Sequence, residues 1–110
     1  MEQQRSEFRI VYPLPARPVA FIGHREFSVL DCSEHALRLD LRRHPDPPGP
    51  ATRVAGAVRL AQGFEHAFEG LMQRTDERSA VLLLDEPFRI DLSVIFQEQR
   101  YLRSKFPNWR

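Results

Sequence analysis

A chain of 110 residues with a formal net charge of +1 is the size of one ordinary domain and lacks the global basic field that drives nonspecific nucleic-acid binding, so no DNA or RNA partner is expected. Its 42% hydrophobic content, with eight Phe and 28% charged residues, belongs to a folding chain and excludes a disordered one. A lone Cys32 excludes an intrachain disulfide, and no run has the apolar length of a membrane helix or the order of a signal peptide, so a cytoplasmic location without membrane insertion is expected.

The first nine residues are polar and lead into Tyr12-Pro13-Leu14-Pro15 and Arg17-Pro18, where proline rules out helix interior. Residues 1–12 therefore read as an extended N-terminal arm. Val19–Ile22 and Glu26–Leu30 flank Gly23-His24-Arg25 as a hairpin, with Phe27, Val29 and Asp31 expected on one face and Ser28, Leu30 and Cys32 on the other. After Ser33-Glu34-His35-Ala36, the alternation of Leu37, Leu39 and Leu41 with Arg38, Asp40 and Arg42 marks a strand with one buried face. Residues 43–50 hold too many prolines for regular structure and read as a loop.

A second hairpin follows. Val54, Gly56, Val58 and Leu60 alternate with polar or small residues, Gln62-Gly63 supplies the turn, and Phe64, His66, Phe68, Gly70 and Met72 continue the pattern. The apolar run Ala80–Leu84 is one more strand. The period then changes, and Leu92, Ile95, Phe96, Gln99, Leu102 and Phe106 fall on one helical stripe, with Asp91 as cap and Pro107 as stop. The other face, with Glu98, Arg100, Arg103 and Lys105, is expected to be solvated, while Tyr101 and Trp109 offer aromatic surface to a protein partner. The expected fold is a single mainly β domain over residues 1–110: a small antiparallel six-stranded barrel over residues 13–85, with a C-terminal α-helix over residues 91–106.

Two motifs carry the candidate chemistry. Arg5-Ser6-Glu7-Phe8-Arg9 is an RxxxR at the junction of arm and barrel, and Asp31-Cys32-Ser33-Glu34-His35-Ala36 begins after 21 intervening residues. Together they resemble the two-part signature of PilZ domains, RxxxR followed by [D/N]xSxxG. The resemblance covers nearly the whole chain, since QQRSEFRIVYPLPARPVAF is similar to the family's opening, DCSEHALRL to its DxSxGGLRL, and IFQEQRYLRSKFP to its closing helix. It implies a receptor for cyclic di-GMP with no catalytic residues, no metal and no cofactor, signalling to a protein partner through ordering of the N-terminal arm, in motility or biofilm control.

The implied ligand residues are Arg5, Arg9, Asp31, Ser33 and Ala36, with Gln4 a secondary candidate. Guanidinium suits a cyclic dinucleotide because it forks onto guanine O6 and N7, stacks on purine faces and holds phosphate, and a carboxylate such as Asp31 accepts from guanine N1 and N2. Ser33 lies two residues beyond Asp31, on the same side of an extended chain. Two departures matter. Ala36 stands where the motif has Gly, and Gln4 stands where many members carry a further Arg, which favours one bound nucleotide over a stacked pair. The alternative reading is a PilZ-fold interaction module that no longer binds nucleotide.

A triad of Asp31, Ser33 and His35 is rejected, because neighbours along one strand do not converge in a hydrogen-bonded line and no GxSxG elbow is present. Cys32 and His35 have ligand-like spacing, but no second Cys pair completes a zinc site.

Overall fold

Every alternating stretch becomes a strand. The computed structural model describes residues 8–42 and 51–109, and the expected loop at 43–50 falls outside them, as do Gln4 and Arg5. The strands are β1 (Ile10–Val11), β2 (Val19–Ile22), β3 (Arg25–Cys32), β4 (Ala36–Asp40), β5 (Ala51–Arg59), β6 (Glu65–Arg74) and β7 (Ser79–Leu84), followed by helix α1 (Leu92–Lys105). Short 3₁₀ turns occupy Leu14–Ala16 and Glu86–Phe88.

All pairings are antiparallel, in the order β3-β2-β5-β6-β7-β4, and β4 returns to pair with β3. The result is a closed six-stranded barrel. Closure leaves β1 as a seventh strand outside it, hydrogen-bonded to the far end of β3 through Ile10↔Cys32 and Val11↔Asp31. Because β2 covers β3 only from Arg25 to Ser28, that edge of β3 is open for β1.

Period-two alternation fills the interior. Ala20, Phe27, Val29, Leu37, Leu39, Val58, Phe68, Met72 and Leu82 are all essentially fully buried, and each large apolar side chain among them contributes about 1.5–3 kcal/mol of transfer free energy. Gly56 and Gly70 mark where backbones approach most closely, since a Cβ at either would overlap the carbonyl of Phe21 or of Leu83 respectively.

α1 closes one end of the barrel. Asp91 caps it by accepting from Ser93 N at 3.0 Å, Ile95 and Leu102 are buried in the barrel core, and Phe106 is the C-cap. The approach to the helix is stitched to the same end: Ile90 N donates to Glu34 O and Leu84 N to His35 O, at 2.9 and 2.8 Å. Among the described residues no helix is long and apolar enough to cross a membrane.

The structure departs from the sequence reading in three places. The arm expected over residues 1–12 ends earlier, because Ile10 is fully buried, Tyr12 is 4% exposed, and Tyr12 N bonds Leu30 O at 3.1 Å. Phe64, expected to face inward, is 46% exposed because it belongs to the β5–β6 turn, where its carbonyl accepts from Leu60 N. Glu98, assigned to the solvated helix face, is fully buried.

Candidate functional site

The site is built where β1, β3 and β4 lie side by side. A β-bulge shifts the β3–β4 register between Val29 and Asp31, and this extra residue resets the alternation of β3. Cys32 therefore joins Phe27 and Val29 in the core, and Asp31 turns outward, opposite to the faces expected from strict alternation. Its register partners are Val11 on one side and Arg38 on the other.

This placement brings two guanidiniums to one carboxylate. Arg38 Nε is 3.2 Å from Asp31 Oδ2, and Arg9 Nε is 3.9 Å from Asp31 Oδ1. The Asp31 side chain is only 16% exposed, against 33% for Arg38 and 54% for Arg9, so the carboxylate lies at the base of the cluster and the cations at its rim. Residues distant in sequence thus present alternating charge on one outer patch.

Ser33 does not share that patch. It is 3% exposed, and its Oγ accepts from the amides of His35 and Ala36 at 3.3 and 3.2 Å, while its own amide bonds Ala36 O at 2.9 Å. These bonds close the β3–β4 turn, so the serine shapes the loop that leads from Asp31 to Arg38. The expectation that Asp31 and Ser33 point the same way fails, because the chain turns at Ser33 and is no longer extended. Ala36 opens β4 opposite Leu83. With extended strand backbone, its methyl carries no left-handed strain.

Farther along the outer face of β4, Asp40 is held by Arg42 at 2.7 Å and lies 3.9 Å from Arg17. The Arg42 hydrogen bond foremost holds its carboxyl at about 2.

Behind the patch, Glu98 forms a buried polar node. Its Oε2 accepts from Tyr12 Oη at 2.6 Å and Ala61 N at 2.8 Å, and its Oε1 from Gln62 N at 3.1 Å. The carboxylate so bolts α1 to the chain after β1 and to the β5–β6 turn. Burial, followed by the charge of Glu98, pushes the neighbouring Cys32 thiol up to about 12, and burial likewise raises the Tyr12 phenol.

Sequence reasoning missed Arg38 and Glu98. Both left a signal: Arg38 lies two residues past Ala36 on the polar side of its strand, and Glu98 sits three residues after Ile95 and four before Leu102, within the apolar stripe. Among the described residues, no three His, Cys, Asp or Glu side chains gather as metal ligands. Comparison with protein-family models, with curated proteins and with solved structures gives no match to this chain.

Proposed function

We propose that the chain is a PilZ-type receptor that binds cyclic di-GMP over the Arg9, Asp31 and Arg38 patch and signals to a protein partner in the bacterial cytoplasm, making and breaking no bond. One observation carries this reading: β1 pairing places Arg9 of the first motif beside Asp31 of the second, with Arg38 on the opposite flank. Asp31 would accept from the guanine N1 and N2 hydrogens, and the two guanidiniums would take phosphate or guanine O6 and N7. Arg5 and Gln4 would add to the same ligand from the arm, Ser33 would hold the loop, and Ala36 would border it.

Calorimetric titration with cyclic di-GMP, with GTP and cyclic di-AMP as controls, tests the reading. Selective binding is expected, and Arg9→Ala should weaken it by about 1.5–3 kcal/mol, the worth of a charge-assisted contact, with the melting temperature nearly unchanged. Undetectable binding by the folded wild-type protein would reject the receptor reading in favour of the nucleotide-free interaction module. That second reading draws on one specific feature, the 42% exposed Leu83 paired with Ala36 on the barrel's outer face, an apolar surface beside the patch.

A further inference from the structure

Two adjoining clefts run along the C-terminal end of α1, and none of Arg9, Asp31 or Arg38 lines either. The first, about 360 Å³, lies between the segment Pro15 to Val19, the end of β5 and the last turn of the helix; the second, about 400 Å³, lies between Pro13 and the residues that follow the helix. They share Lys105 and Phe106, so they adjoin at the last turn of the helix and together make a channel-like surface. Arg17, Arg59 and Lys105 supply its charge, and among the described residues no Asp or Glu lines it.

Its first cleft mixes polar and apolar surface, and its second is mainly apolar. Tyr101, Phe106 and Trp109 contribute rings, and the facing segment contributes prolines. Trp109 is fixed by donating its indole Nε1–H to Val11 O at 2.6 Å. Arg17 Nη1 lies 3.9 Å from Asp40 Oδ2, a carboxylate outside the lining. Arg59 is engaged by Glu65 at 2.8 Å, but both side chains are 56% exposed, and an exposed pair of this kind exchanges partners at little cost.

We propose that this channel docks an extended acidic segment of a partner protein. An extended chain suits the shape, since grooves lined by aromatic and proline side chains take extended or polyproline segments, and a lining that holds Lys105, Arg17 and Arg59, with the paired Asp40 and Glu65 outside it, selects glutamate or aspartate. Lys105, at the junction of the clefts, is the central contact. The inference is independent of nucleotide binding, so its test is run without nucleotide.

The probe is a fluorescein-labelled hexapeptide of alternating glutamate and proline, titrated by anisotropy, with a lysine–proline hexapeptide as control. Saturable binding of the acidic peptide alone is expected, weakened by added salt. The double variant Arg59→Glu, Lys105→Glu should lose about tenfold or more in affinity, and Tyr101→Ala should also weaken it. Arg74→Glu, at the opposite end of β6, should change nothing. Should the double variant lose its cooperative melt, Lys105→Glu alone decides the matter. Absence of saturable binding, equal loss in Arg74→Glu, or equal binding of the lysine peptide would overturn the proposal. Displacement by a single-stranded oligonucleotide with the same residue dependence would overturn it as well, assigning the channel to nucleic acid.

Discussion

Arg38 is the residue whose role depends most on its neighbours. With Arg9 it flanks Asp31, so Arg38→Ala should weaken cyclic di-GMP binding by about tenfold or more while leaving the fold intact, because a side chain one third exposed adds little to the core. Parallel titration and thermal melts of this variant check both halves; unchanged affinity would remove Arg38 from the site. Ala36 poses a finer question. Since it lies in strand backbone opposite Leu83, Ala36→Gly should cost a few tenths to about 1 kcal/mol of stability through unfolded-chain entropy and give no tighter binding. A tenfold gain in affinity would show instead that the methyl obstructs the ligand. Arg9, Asp31 and Ala36 were legible as motif members, whereas Arg38 was not, because only strand register sets it against Asp31.

Among the elements, β1 and α1 lie farthest apart in the primary structure, and the fold brings the segment around β1 against the helix and the residues that follow it. Phe8 meets Phe96 edge to face with ring centroids 5.0 Å apart, Val11 O accepts from Trp109, and Tyr12 donates to Glu98, so the segment bearing Arg9 is held by the helix at two points and by Trp109 beyond it at a third. Glu98→Ala would leave one buried hydroxyl and two amides without their acceptor, each unsatisfied donor costing about 1–3 kcal/mol, and a loss of about 3 kcal/mol or more is expected by urea denaturation. Tyr12→Phe should cost less, about 1–3 kcal/mol, because the carboxylate keeps both amides. The amide of Tyr12, already bonded to Leu30, should exchange slowly with or without nucleotide. Any ligand-dependent protection is then expected before Ile10, and protection of Tyr12 that appears only on saturation would show that β1 forms with the ligand.

At the scale of the whole molecule, stability should fall at both ends of the pH range for opposite reasons. Asp40 titrates at about 2 in the fold against 3.8 for the free group, so its contribution is complete above about 3.8 and is lost as pH falls through about 2. Cys32 titrates at about 12 in the fold against 9.0, so its contribution is complete below about 9 and is lost as pH rises towards 12. Urea midpoints measured across pH should therefore show a shallower acid limb in Asp40→Asn and a shallower alkaline limb in Cys32→Ala. Parallel slopes in wild type and variant would contradict the assignment.

Local patterning by itself determined the barrel strands and the helix, because period-two and period-3.6 alternation are properties of neighbouring residues and need no knowledge of what packs against them. Only the tertiary structure decided that the strands close on themselves through β3 and β4, that Ile10 to Tyr12 leave the arm for the folded body, and that Glu98 is a buried node. The bulge before Asp31 is the clearest case: one extra residue in β3 sends Cys32 inward and Asp31 out to Arg9 and Arg38, and a bulge arises from mismatch between two paired strands, so neither strand's own sequence specifies it.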